Sequence, residues 1–268
     1  MQNIVFIGAG SIAEALIQGW INEKVVEPQK IYVSNRSNTE RLQFLCDKYG
    51  VNILPDKQFL KQADLIILAM KPKDVQTAMQ DIHDYILPET AILSVLAGIS
   101  IDTIEAGLGK RPIARTMPNT SATIGMSASG ISFNEQVSET QKTMYLQLLQ
   151  AVGTVIEVEE DKLHAVTALS GSGPAYVYYL IEAFEKVGSE FGLSPEVVRS
   201  LMVQTLAGTA AMLQQTPEEP NVLRRKVTSP GGTTEAGIRK LEEYHFQDAV
   251  FACIREAENR SRELAQGK

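Results

Sequence analysis

The sequence predicts a two-part molecule, an α/β half built on a sheet of largely parallel strands followed by an all-helical half, and three observations predict it. Short apolar runs alternate with helix-like segments through the first 160 residues or so. A glycine-rich turn, Gly8-Ala9-Gly10, follows the first of those runs directly. From Asp161 onward the alternation stops, and apolar residues recur at helical spacing. The expected domains are therefore residues 1–160 and 161–268.

In chain order, the strand candidates are NIVFIG (3–8), KIYVSN (30–35), ADLIILAM (63–70), AILSVLAG (91–98) and PIARTMP (112–118). Two more, IGMSASGISF (124–133) and GTVIEVEE (153–160), flank a helix expected over 138–150. Short β-branched runs bounded by Gly, Pro and Asn, with helical stretches between them, are the pattern of βαβ units. In the second half, Val177, Leu180, Ile181, Phe184, Val187 and Phe191 fall on one helical stripe, with Pro174 suited to its first turn and Gly192 to its stop. Ser194 and Pro195 cap and open a second helix, whose Gly208, Ala210 and Ala211 let another backbone come close. A last helix puts Val250, Ile254, Ala257 and Leu264 on one face. A helical domain of about 100 residues with this much apolar surface is expected to cover it by pairing with a second copy.

Composition narrows the function classes. The chain is 44% hydrophobic and 21% charged, normal for a folded domain, and its net charge of −7 speaks against a nucleic-acid surface. No apolar run reaches membrane-spanning length, and the first residues lack the pattern of a secretory signal, so a cytoplasmic protein is expected. Two cysteines, Cys46 and Cys253, and three scattered histidines form neither a disulfide framework nor a metal site.

The turn Gly8-Ala9-Gly10-Ser11-Ile12-Ala13 is a G-x-G-x-x-A between a strand and a helix. Its first glycine makes the turn, its second admits a pyrophosphate to the backbone, and the small third residue lets helix and strand pack. This is the fingerprint of a Rossmann-type dinucleotide-binding domain. The second strand ends in Ser34-Asn35-Arg36 without the Asp or Glu that accepts from the ribose of NAD. NADPH is thus the expected coenzyme, with NADH weaker; Arg36 is either the partner of a 2′-phosphate or a solvated loop cation. Ala69-Met70-Lys71-Pro72 and the stretch Thr116 to Thr120, with Asn119, put further small or polar groups at strand ends, as cofactor-facing segments or as plain turns.

The remaining motif is KVTSPGGTTEAG, 226–237. Two glycines after a proline, followed by a helix start, gather free backbone N–H groups in one place, which suits either a small anion or a capped helix. With FIGAGSIAEAL, AMKP, RTMPNT, ALSGSGPAYVY and VTSPGGTTEAG assembled, the chain resembles the pyrroline-5-carboxylate reductases along its whole length. Met70 departs from the family's usual valine, and the basic run Arg224-Arg225-Lys226 has no assigned role. The resemblance implies an N-terminal NAD(P)-binding domain, a helical dimerisation domain forming a homodimer or higher homo-oligomer, and a substrate site at their junction. It further implies that Ser229 and the N–H groups of Gly231, Gly232 and Thr233 hold the substrate carboxylate, with Thr234 beside the imine nitrogen. SGSGPAY (170–176) reads mainly as close packing at the head of a helix. Two other readings stand beside this one: a 3-hydroxy-acid dehydrogenase relative, which needs a lysine on the interdomain helix where this chain has none before Lys186, and a non-catalytic NADP-binding module.

Overall fold

Runs of four or five apolar residues become the strands of a single sheet in the computed structural model, which describes residues 3–265. The strands are β1 (Ile4–Ile7), β2 (Ile31–Ser34), β3 (Asn52–Ile53), β4 (Leu65–Leu68), β5 (Ala91–Ser94), β6 (Ile113–Met117), β7 (Ser127–Phe133) and β8 (Gly153–Glu157). Their order across the sheet is β3-β2-β1-β4-β5-β6-β7-β8. The order runs outward in both directions from the β1/β4 boundary, and at such a switch point the carboxyl ends of the strands leave a crevice.

Register lines up the strand ends. Ile7 pairs with Ser34 on one side and Leu68 on the other, and Leu68 pairs in turn with Ser94. The turns that begin at Gly8, Asn35, Ala69 and Val95 therefore leave the sheet along one rim.

Helices α1 (Ser11–Asn22), α2 (Thr39–Tyr49) and α5 (Glu139–Gln150) cover one face, while α3 (Val75–Ile82) and α4 (Ile101–Leu108) cover the other. Alternate residues of each central strand serve the two cores: Ile4 and Phe6 enter the first, Val5 the second. Trp20 is fully buried on α1 and donates Nε1–H to the Leu148 carbonyl at 2.7 Å, which joins α1 to α5. Tyr145, also on α5, donates to the carbonyl of Ile92 at 2.9 Å. Both aromatic side chains thus bury large apolar area with their one polar atom satisfied.

Two features depart from the sequence reading. Strand β7 runs antiparallel to β6, and β8 parallel to β7, so the far edge of the sheet is reversed. Residues 118–126 join β6 to β7 without a crossover helix, and a link that short cannot return the chain for parallel pairing. The strand β3 is only Asn52–Ile53, pairing with Tyr32 and Val33, too short to leave a periodic signal.

After α6 (Leu163–Val166) a wide turn over Thr167–Gly171 leads into α7 (Gly173–Glu190). Helices α8 (Pro195–Gln215), α9 (Pro220–Lys226), α10 (Thr233–Glu243) and α11 (Phe246–Ala265) complete the chain. Ser194 caps α8 as expected, accepting the Val197 N–H. The chain forms two compact units: one runs through Pro174 and takes in the chain from Glu256 onward, the other is Ala175–Arg255. The end of α11 belongs to the first because Arg262 grips Asp161 with two hydrogen bonds of 2.6 and 3.0 Å, and His164 meets Ser261 at 2.9 Å.

Within Ala175–Arg255 only Gly188 and Val198 are buried. They touch each other, since a Cβ on Gly188 would meet Val198 Cγ2 at 2.3 Å. The stripe expected on α7 exists, but five of its six residues, Val177, Leu180, Phe184, Val187 and Phe191, are exposed in the single chain.

Candidate active site

One candidate cluster is the rim at the switch point. Gly8 adopts φ +106, and a Cβ there would stand 2.5 Å from the carbonyl carbon of Ala69 and the nitrogen of Met70. Only glycine lets the first turn lie against Ala69-Met70 this closely. Gly10 has an ordinary φ of −77 and is the N-cap of α1, with no side chain capping the helix. A Cβ on it would meet nothing nearer than the Ala69 oxygen at 3.9 Å, so open space lies in front of it. Among the described residues no acceptor meets the N–H groups of Ser11, Ile12 or Ala13. Uncapped first-turn donors facing open space suit a diphosphate, and a dinucleotide fits the residues present.

Asn35 and Arg36 follow β2 on the same rim, and both are exposed. Arg36 is not isolated: its Nη1 lies 3.5 Å from Asp74 Oδ1, with 78% of the arginine side chain exposed. Asp74 lies beyond the β4 turn, and its approach to Arg36 is a tertiary contact that no local pattern announces. An ion pair so exposed contributes little, and a phosphate dianion competes effectively for the guanidinium. Lys71 is exposed and forms no ion pair among the described residues, and Pro72 opens a short turn of helix after it.

Asn119 takes a structural part. Its Nδ2 donates to the Ser170 carbonyl at 3.0 Å, its Oδ1 accepts the Ser121 N–H at 3.0 Å, and its own N–H reaches Ser127 Oγ at 3.0 Å. It thereby ties the end of β6 to the SGSGP segment, whose Gly171 comes close to Met117.

Two charged residues that motif reading passed over sit in this unit. Arg115, only 2% exposed on β6, pairs with Glu160 at 2.9 Å, and Glu160 also accepts the Ile101 N–H at 2.8 Å, capping α4. Arg41 on α2 donates Nε–H to the Ala9 carbonyl at 2.8 Å and reaches Glu14 with Nη2. Burial works against the charge on Glu14, yet donors from Arg41, Tyr49 and Lys48 outweigh it and hold the carboxyl at about 2.

A separate candidate cluster is the turn before α10, in the unit Ala175–Arg255. Ser229-Pro230-Gly231-Gly232 closes with a hydrogen bond of 3.0 Å from Gly232 N–H to the Ser229 carbonyl. Proline at the second position and Gly231 at φ +72 in the third make this a type II turn. Gly231 N–H donates to Glu235 Oε2 at 2.8 Å, so two of the three N–H groups expected to hold an anion are engaged inside the turn. The capped-helix reading fails on a different detail. Gly232 is the N-cap of α10 and no side chain caps it, while Thr233 and Thr234 lie inside the first turn. Among the described residues, the N–H groups of Thr233, Thr234 and Glu235 meet no acceptor, and the hydroxyls of Ser229, Thr233 and Thr234 have no partner. In the basic run before the turn, Lys226 pairs with Glu218.

The family model for pyrroline-5-carboxylate reductase dimerisation matches residues 160–264, and that for NADP oxidoreductase, coenzyme F420-dependent, matches residues 3–98. "Pyrroline-5-carboxylate reductase 2" of Bacillus subtilis is 45% identical over 268 residues, covering 99% of this chain and 96% of the relative. The chain belongs to the pyrroline-5-carboxylate reductase family. A Staphylococcus epidermidis member is 39% identical over 98% of this chain and 97% of its own. Among solved structures, the family member from Coxiella burnetii superposes with a TM-score of 0.88 at 36% identity, covering 98% of each chain. The Plasmodium falciparum enzyme, solved with NADP bound, gives 0.88 at 26% identity and the same coverage. The resemblance carried by the five motifs is thus borne out over the whole chain. Membership makes this protein an oxidoreductase of the pyridine-nucleotide class, with a Rossmann-type domain ahead of a helical domain of the dimerisation type.

Proposed function

We propose that the protein reduces the cyclic imine of 1-pyrroline-5-carboxylate to proline, with NADPH as the preferred coenzyme. When bound, the coenzyme supplies a hydride, which adds to the imine carbon while the ring nitrogen keeps one proton, giving a secondary amine. Gly8, Gly10, Ser11, Ile12 and Ala13 hold the diphosphate, Asn35 and Arg36 the 2′-phosphate, and Ala69, Met70, Lys71 and Pro72 border the coenzyme, while Asn119, with its amide engaged inside the protein, supports the rim. The single observation that carries the substrate reading is the turn before α10, where unengaged N–H groups and hydroxyls converge at an uncapped helix start.

In this reading Ser229 Oγ–H and Thr233 N–H donate to the substrate carboxylate, and Gly231 and Gly232 shape the turn that presents them. Thr234 Oγ1 meets the imine nitrogen, accepting from it when protonated and donating to it when not. A protonated iminium is already electrophilic, so orientation and charge placement are the protein's main tasks. The coenzyme-binding residues all fall within 1–160 and the substrate turn within 161–268. Purified protein should oxidise NADPH only when the imine is added. Oxidation of 3-hydroxy acids with NADP instead, or coenzyme binding without turnover, would sink the proposal.

Assembly follows from the exposed stripe. A unit with two buried residues cannot sustain itself on its own core, and burying five large apolar side chains contributes roughly 1.5–3 kcal/mol each. The protein should be a homodimer or larger by light scattering at micromolar concentration. Phe184→Asp, at a site 40% exposed in the single chain, should weaken the dimer and lower the helical signal contributed by Ala175–Arg255; a wild-type monomer contradicts the idea.

A further inference from the structure

We propose that Arg41 is a positioning residue for the coenzyme, which acts by clamping the carbonyls of the glycine turn and not by touching the ligand. The inference rests on the reading that residues 8–13 hold the diphosphate. Its basis is the set of atoms that the guanidinium meets. Nε–H donates to the Ala9 carbonyl at 2.8 Å, and Nη2 reaches both the Gly10 carbonyl at 3.4 Å and Glu14 Oε2. These carbonyls belong to the turn itself, not to the hydrophobic core.

A peptide unit is planar, so holding the oxygen of one residue fixes the direction of the next residue's N–H. Clamping Ala9 O sets the Gly10 N–H, while Gly10 O, which also accepts the Glu14 N–H at 3.0 Å, is held jointly by Arg41 and the first turn of α1. Both lie in the glycine-rich stretch where the backbone is softest, and where lost freedom on binding is greatest. Arg41 is itself anchored. Its N–H donates to Asn38 Oδ1 at 2.8 Å, so the cap of α2, just past Asn35-Arg36, and the glycine turn are fixed by one residue.

The clamp is closed by charge that cancels locally. Glu14 stays ionised, with its carboxyl held at about 2, and it accepts from Arg41, from Lys48 at 3.0 Å and from Tyr49 at 2.8 Å. Arg41 is thus matched by its own carboxylate and is not a free cation awaiting a phosphate. A geometric role of this kind serves NADPH and NADH alike, whereas direct reading of the 2′-phosphate serves NADPH alone.

The test is direct titration of both coenzymes by fluorescence, with melting temperature and steady-state kinetics, on the wild type, Arg41→Met, Arg41→Lys, Glu14→Gln and Gly10→Asp. Arg41→Met should raise Kd for NADPH and NADH by the same factor, roughly 10- to 150-fold, the worth of one charge-assisted hydrogen bond. kcat at saturating coenzyme and KM for the imine should hold. Arg41→Lys keeps the charge but not the planar fork, so most of the loss should remain. Glu14→Gln should show a smaller loss, again equal for both coenzymes, and it carries the comparison if Arg41→Met does not fold. An unchanged Kd, a loss confined to NADPH, or full recovery in Arg41→Lys would overturn the inference. Gly10→Asp separates this from the underlying reading: its backbone accepts a Cβ, and the added carboxylate occupies the diphosphate position. If Gly10→Asp leaves Kd intact, the diphosphate reading fails. If it weakens binding while Arg41→Met does not, only the Arg41 clamp fails.

Discussion

Arg36→Asp should convert an NADPH-preferring enzyme into one that prefers NADH, with a change of about 10- to 1,000-fold in the ratio of their kcat/KM values. The size follows from two effects acting together. Removing the guanidinium loses a charge-assisted pair with a dianion, and the new carboxylate adds repulsion next to Asp74, already 3.5 Å from Arg36 in the native protein. The same carboxylate can accept from the unphosphorylated ribose, so NADH gains while NADPH loses. Arg36 is 78% exposed and its ion pair with Asp74 lies at the surface, so the melting temperature of the free protein should move little. The kinetics of the two coenzymes in wild type and variant check this, and equal kcat/KM for both in the wild type would remove Arg36 as the discriminating residue.

The two hydroxyls of the α10 turn should fail in different ways. Thr234→Val keeps the side-chain shape and loses the hydroxyl, so kcat should fall by about 10- to 100-fold, toward the low end for proton-handling groups because the iminium is already activated. Ser229→Ala removes a contact made in ground state and transition state alike, so KM for the imine should rise more than kcat falls. Among the described residues neither hydroxyl has a partner, and neither caps α10, so stability should be unaffected in both. Loss of a true cap would cost about 1 kcal/mol and leave turnover intact. Normal kinetics with a lowered melting temperature in these two variants would take the turn out of the active site.

The parts legible in the sequence are those written in local pattern. The strands β1, β2, β4, β5 and β6 announce themselves as short apolar runs. The G-x-G-x-x-A turn sits where strand passes to helix, and the two glycines after Pro230 mark a tight turn before a helix. What the sequence does not display is pairing between distant residues. Asp74 beside Arg36, Glu160 on Arg115, and Arg41 on the carbonyls of Ala9 and Gly10 are each set by how strands and helices stack. The reversal of β7 and β8 is encoded only in the shortness of a loop. Glu235 was in plain view within the TTEAG motif, yet its bond to Gly231 N–H depends on the turn having formed. That bond redistributes the expected anion contacts, moving them from the glycines to the first turn of the helix.

The account stands most directly on the N–H groups at the start of α10. Protein labelled with 15N-threonine, saturated with oxidised coenzyme and titrated with proline, reports on Thr233 and Thr234 without any mutation. If their N–H groups meet the ligand carboxylate, the Thr233 amide resonance should move downfield and saturate with the same midpoint as proline binding, with Thr234 shifting beside it. Proline binding that leaves both resonances unmoved would contradict it.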